Sequence, residues 1–406
     1  MTRLPRDPRF GFPKSWHAVL NFSICTVFML GQDFTCKAVE KSAVYARLTT
    51  GIQADLDAGR ITEAKKRLAS TEESQRSFEF DYLTSRAEKG SADGAAAPDL
   101  IRKIAKPEIE TRYGVLNPVT RQLVFICRDG GLRIHDLASP ESDSTVKMHP
   151  QSSTVFSGTF SHDGKRFFSG HQNGEVLVWD AATWEILQTV SLGEEWPVRE
   201  LVAAPDGSAF VGESKSELQL WSLTDDAPKK VAAVGDRYNF GEGLAFSPAG
   251  DMLATGGMFD IMLRDSRTGA EVRSMRHASY TMGLKFSPDG KRIASATRGN
   301  VNKFLAVFEV TEDKPIFNAG PFGNYIVGLS FTPDGKRIAA TGCDNLVRLF
   351  DAATGDVVLS FNRPGCSAEP AFSHDGQLLG WNEPAGFFFI DLRKDADADA
   401  KTSVAN

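Results

Sequence analysis

The sequence predicts a mainly β protein, a seven-bladed β-propeller with a small N-terminal α-helical hairpin. Three observations carry this. An Asp-Gly turn recurs at a near-constant interval, a second marker ends a strand at the same interval, and each interval holds four strand-like runs.

The stretch "FTPDGKRIAATGCDNLVRLFD" (331–351) shows the unit. Pro333 presets φ, Asp334 can bond its own backbone and Gly335 accepts a positive φ, so these three residues turn the chain. Residues 337–340 read as a strand, Asp344-Asn345 as a second turn, and residues 346–350 as a strand rich in β-branched and aromatic side chains. "YIVGLSF" (325–331) precedes and "DVVLSF" (356–361) follows, and both read as strands. Four strands in about 40 residues make one propeller blade.

The turn glycines are Gly164, Gly207, Gly250, Gly290, Gly335 and Gly376, spaced 43, 43, 40, 45 and 41 residues apart. The third strands end at Asp136, Asp180, Ser222, Asp265, Glu309, Asp351 and Asp391, at intervals of 44, 42, 43, 44, 42 and 40. The second ruler adds a first unit, "LNPVTRQLVFICRDGGLRIHDL" (116–137), which has lost its Asp-Gly turn. Seven units result. The last, "AFSHDGQLLGWNEPAGFFFIDL" (371–392), supplies three strands before the chain turns acidic. A strand at about 99–109, in "DLIRKIAKPEI", has the pattern to complete it and so close a ring over residues 99–392. An open seam would leave strand edges unpaired.

"VLVWD" (176–180), taken with "FSHDGKRFFSG" from residue 160, resembles the tryptophan-aspartate (WD) repeat family. The resemblance implies a propeller that serves as an interaction platform. It also implies a buried hydrogen-bond set of His, Ser or Thr, Asp and Trp in each blade. Here the Trp place reads His135, Trp179, Trp221, Arg264, Phe308, Phe350 and Ile390. The Asp place reads Asp129, Asn173, Lys215, Met258, Asn302, Asp344 and Pro384. His277 and Ser295 match two places of blade five, but no blade holds the full set, so apolar packing should carry more of the stability.

Residues 39–89 change period. Val44, Leu48, Ile52 and Leu56 form one helical stripe, Gly59 breaks it, and Ile61, Ala64 and Leu68 resume it. The pair resembles a tetratricopeptide hairpin, and residues 74–89 could add a third helix. A helical patch of this kind before a propeller is similar to bacterial multi-repeat WD proteins. Residues 90–98 are a small-residue linker, and 393–406 read as a disordered acidic tail. Residues 1–38 combine Arg3, Arg6, Arg9 and Lys14 with an apolar run at 18–31, the pattern of an export signal or membrane anchor. Cys36-Lys37-Ala38 could serve as a cleavage site. The alternative is a cytoplasmic leader.

At 406 residues the chain exceeds one ordinary domain. Its formal net charge of −6, with no basic stripe, argues against nucleic-acid binding. The five cysteines form no CxxC and no zinc spacing, and neither a cofactor nor a metal is expected. Cys343 and Cys366 fall on loop types that share one rim and could pair if exported, the other reading being two free thiols. His162, His171 and His374 read as exposed turn residues rather than ligands. No nucleophile elbow, HExxH or phosphate loop occurs, so no catalytic residue is assigned and no enzyme is expected. The better signal lies in the loops leading into the blades. They hold Trp196, Arg199, Arg237, Tyr238, Phe240, Tyr280, Phe322 and Tyr325. Gathered on one face, such side chains would make a protein-binding hot spot; the alternative is that some wedge between blades. The function expected is a non-catalytic protein-interaction scaffold, exported or tethered through residues 18–31. The alternative is an exported propeller enzyme or small-ligand binder using the central channel.

Overall fold

The computed structural model describes residues 33–90 and most of 100–392; the stretches 106–110, 139–143, 149, 151–152, 194–195, 216, 224–226, 237–239, 278–279, 299–303, 321 and 364–367 lie outside the description. The expected leader, the linker and the tail therefore fall outside it. In the described residues, 28 strands (β1–β28 in chain order) form seven antiparallel four-stranded sheets behind three α-helices.

Each Asp-Gly turn works as its residue types require. Gly164, Gly207, Gly250, Gly290, Gly335 and Gly376 all sit near φ +70°, where a side chain would strain the backbone. In blade six the Asp334 carboxylate accepts the Thr332 hydroxyl at 2.6 Å and the Lys336 amide at 2.9 Å. The aspartates that end third strands do a second job. Asp180 accepts the amides of Ala182 and Thr183, and Asp265 those of Arg267 and Thr268, so each closes the turn into the outer strand. The repeated Asp is thus a turn cap at both ends of the unit.

Six of the sheets use four consecutive strands. The seventh has the order β1 (Arg102–Ala105), β28 (Gly386–Asp391), β27 (Leu378–Glu383), β26 (Ala368–Phe372). Arg102 faces Phe389 and Ala105 faces Gly386, so four residues from before the first blade supply the outer strand of the last. The core runs between neighbouring blades, filled by Phe125, Phe167, Phe168, Phe210, Phe308 and Trp381, all under 2% exposed.

The helices are α1 (Asp33–Asp57), α2 (Ile61–Ala69) and α3 (Phe78–Lys89). Gly59, at φ +72°, turns α1 into α2. The buried stripe of α1 starts at Ser42 and Tyr45, not at Val44, which is 59% exposed. The shift arises because α1 serves two neighbours, the other helices and the edge strand β25 (Val357–Asn362) of blade six. Gln53 satisfies that edge: its amide donates to the Ser360 carbonyl at 2.6 Å and accepts the Ser360 amide at 3.4 Å, as a further strand would. Tyr82 meets Phe361, and Phe78 meets Phe372, edge to face at centroid distances of 5.2 and 5.4 Å. Helices and blades six and seven share one continuous core.

At the centre of that contact lies Arg337, 2% exposed, at the start of β23 (Arg337–Gly342). Its guanidinium donates to Glu79 of α3 at 2.7 Å, to Asp351 at 3.0 Å and to the carbonyl of Gln75. Tyr45 of α1 donates to Glu79 at 2.8 Å and lies with its ring 5.2 Å from the guanidinium. Burial, and then the Glu79 carboxylate, push the Tyr45 phenol far above its ordinary range, so it remains a neutral donor. Burial opposes the charge on Arg337, but Glu79 and Asp351 more than offset it and hold the guanidinium protonated.

Two outcomes follow. Arg337→Met keeps the stem but strands two carboxylates, and should cost about 3–5 kcal/mol. Adding Glu79→Leu should recover part of that loss in denaturant unfolding, because one stranded charge is then gone. The second outcome concerns acid. The Ser287 hydroxyl holds Asp289, and the Ser208 hydroxyl Asp206, below the ordinary carboxylate range. A lowered folded-state pKa gives stability that is present above about pH 4 and is lost as pH falls through the folded value. Unfolding free energy should begin to fall through the histidine range, because burial holds His135 and His162 below their ordinary pKa, and fall further below about pH 5. Asp206→Asn with Asp289→Asn should flatten the acid limb.

Candidate interaction face

The innermost strands are β2 (Thr111–Leu116), β6 (Val155–Phe160), β10 (Leu201–Ala203), β14 (Phe240–Phe246), β18 (Tyr280–Phe286), β22 (Ile326–Phe331) and β26. They line a central channel of about 750 Å³. All run the same way along it. Each starts at one rim, where the loops from the preceding blade arrive, and ends at its Asp-Gly turn on the opposite rim. Because the second strand of each blade is antiparallel to the first, the turn between second and third strands returns to the loop rim.

Of the eight residues expected at a binding face, the structure brings part of the set to this rim. Trp196 is 38% and Tyr325 36% exposed, and Arg199 is exposed beside the channel. Tyr280 opens β18 half-buried, opposite Arg298. Phe322 does not belong to the surface. It is 7% exposed, packs on Phe350 at a centroid distance of 5.6 Å and lies under the Arg348 guanidinium at 4.7 Å. It fills a core cleft, as a loop aromatic does when a strand-end cation can cover it. Arg237 and Tyr238 lie outside the described residues, and Phe240 is described only as the start of β14, paired with Gly257.

The rim also holds residues the sequence reading passed over. Met258 and Phe259 form the tip between β15 (Met252–Gly257) and β16 (Asp260–Asp265), 51% and 67% exposed. Phe259 is the most exposed large apolar side chain among the described residues, yet its carbonyl is pinned by the His277 amide at 2.8 Å. The signal was present: the other hairpins of this type turn on Asp, Asn or Gly or, in blade three, on Ser-Lys-Ser, and this one turns on Met-Phe. Phe156 was missed as well. Its ring lies 3.9 Å from the Arg112 guanidinium and 5.7 Å from that of Arg199, two cations of neighbouring blades on one aromatic side chain.

Two further expectations change. His171 is fully buried at the end of β7 (Arg166–His171), not exposed on a turn. Its Nε2 lies 2.8 Å from the Ser169 hydroxyl, which also accepts from Trp179 Nε1 at 2.8 Å. Blade two thus builds a His-Ser-Trp chain with the histidine inside the blade, because Ser169 and His171 share one face of a strand. Cys343 is disulfide-bonded, not a free thiol, while Cys366 lies outside the described residues; Cys127 is free and buried.

Among the described residues no group of three or more His, Cys, Asp or Glu side chains is placed to hold a metal ion. No described helix is long and apolar enough to cross a membrane. The channel walls mix backbone and small or apolar side chains, including Gly114, Val115, Gly158, Ala245 and Gly283, with polar and charged ones, among them Thr159, Arg199, Glu200 and Lys285.

Seven four-stranded blades closed around a channel define the class: the chain is a seven-bladed β-propeller. The family described as "WD domain, G-beta repeat" matches residues 140–180 and 317–351. The second match begins in the outer strand β21 (Pro315–Ala319) of one blade and ends with the third strand of the next. The β-propeller domain of Cps50 (Swd1) from Myceliophteria thermophila superposes with a TM-score of 0.60 at 15% identity, covering 72% of this chain and 98% of that one. In sequence, "Cell division cycle 20.1, cofactor of APC complex" from Arabidopsis thaliana is 31% identical over 131 residues, 31% of this chain and 28% of that protein. "Eukaryotic translation initiation factor 3 subunit I" from Coccidioides immitis (strain RS) is 25% identical over 237 residues, 55% and 67% of the two chains. This chain spans under a third of the first relative's length. Others matched come from mouse, human and Dictyostelium discoideum, so the likeness to bacterial multi-repeat proteins finds no support in them.

Proposed function

We propose that the protein is a non-catalytic interaction scaffold whose loop rim captures a protein partner. The observation that carries this reading is the exposed apolar pair Met258-Phe259, on a rim that also presents Trp196 and Tyr325. Aromatic and Met side chains with nearby arginines are the residues that dominate protein interfaces. Met258-Phe259 stands on a tight hairpin between two paired strands, so little side-chain and loop ordering remains to be lost there on binding. The relatives' names support the same class. One is called a cofactor of a complex and another a subunit of a factor, and both are thus parts of assemblies.

The bridged Cys343 fits an oxidising compartment and so supports export. Tethering through residues 18–31 is part of the same reading.

Capture from membrane and soluble fractions of the host tests both. Phe259→Ser combined with Trp196→Ala should abolish recovery of the partner, with a stability change within about 0.5 kcal/mol. Lys291→Glu on the opposite rim should leave recovery intact. Loss with the second variant and not the first would place the interface on the wrong rim.

A further inference from the structure

The turn rim breaks its own pattern at two places. The residue before each turn Asp or its equivalent is Pro118, His162, Pro205, Pro248, Pro288, Pro333 or His374, and all seven line the channel mouth. Blade order puts His374 and His162 on either side of Pro118. Over that proline the two rings meet: His374 Nε2 lies 3.2 Å from His162 Nδ1, with centroids 4.1 Å apart and planes tilted by 55°. The backbone amide of His374 donates to the Pro118 carbonyl at 2.7 Å, which fixes its place over blade one.

We propose that His162 and His374 form a two-histidine site for a borderline divalent transition metal, of the class of Zn²⁺, Ni²⁺ or Cu²⁺. Such ions take imidazole nitrogen at about 2.0–2.1 Å, and two nitrogens 3.2 Å apart on one ion subtend about 100°. That lies between the right angle of square or octahedral sites and the tetrahedral angle. The two nitrogens therefore already have the separation of neighbouring ligands, and small ring rotations would aim both lone pairs at one ion. Both side chains are exposed to solvent, so water completes the coordination shell. A neutral imidazole is the ligating form. An ion here would tie blade seven to blade two across blade one, the blade that follows the closing strand.

The test uses the tag-free full chain and the metals alone. Calorimetric titration with Zn²⁺, Ni²⁺ and Cu²⁺ should give one-to-one binding, tightest for Cu²⁺, with Mg²⁺ giving none. The Cu²⁺ complex should show two imidazole nitrogens by electron paramagnetic resonance. Either single His→Pro change should weaken binding by at least about tenfold, since loss of even an outer partner costs about 10–100-fold. His162→Pro with His374→Pro should abolish it. Proline already occupies this place in five blades, so the double variant should fold. Zn²⁺ should raise the melting temperature of the wild type and leave that of the double variant unchanged. Unchanged affinity in the folded double variant, or no binding by the wild type, would overturn the proposal.

Discussion

The structure depends on one closure. A blade has two apolar faces and cannot bury either alone, so each sheet needs a neighbour on both sides, and only a ring gives every sheet two. The ring is closed by four residues, Arg102–Ala105, laid antiparallel on Gly386–Phe389. Chain ends that are far apart in sequence thereby belong to one sheet, and the seam falls inside a blade. A seam between blades would be held by side-chain packing alone. Inside a blade it is held by main-chain hydrogen bonds as well, and by Ile104, which is 6% exposed in the core formed with Leu123, Phe125 and Phe389.

The helices are built into this ring at its last two blades. Arg337 makes the attachment specific. It occupies the position after the Asp-Gly-Lys turn, where Arg166 and Arg292 of other blades reach carbonyl groups of their neighbours. In blade six the same repeat residue turns to Glu79 and Gln75 of the helical unit. A buried ion pair is weak evidence for stability, because desolvation consumes much of the attraction. Its effect is on geometry: Glu79, Asp351 and Tyr45 leave the guanidinium few alternative partners, so α1 and α3 have one seat on blade six. The apolar contacts of Phe78 and Tyr82 then supply most of the favourable free energy.

The blades were legible in the sequence because their turns are local chemistry. Asp, Gly and Pro act within four residues, and two markers kept the same period. Side-chain destinations were less legible because they depend on neighbours distant in sequence. Phe322 and Trp196 both precede an inner strand, yet one is covered by Phe350 and Arg348 of its own blade and the other is not. His171 looked like a turn residue because Asn173 and Gly174 follow it. Its burial came from Ser169, two residues back on the same strand face. Met258-Phe259 could have been found, since an apolar pair at a hairpin tip contradicts turn chemistry.

The two rims have different physical characters, and this bears on how the molecule works. The turn rim is self-satisfied: its Asp carboxylates are occupied by hydroxyls and amides of the same turns, and its prolines offer no donor. The loop rim leaves large apolar groups in water, and at Phe259 the backbone carbonyl is held by the His277 amide. Met258, Phe259 and Trp196, left between about two fifths and two thirds in water, contribute less to folding than the core residues and are not required by the repeat. α1 runs from Thr354, at a turn-rim loop, towards Ser360 nearer the loop rim, so its N-terminal end projects on the side away from Phe259. The helical unit, seated on blades six and seven, thus leaves the Met258-Phe259 tip of blade four exposed.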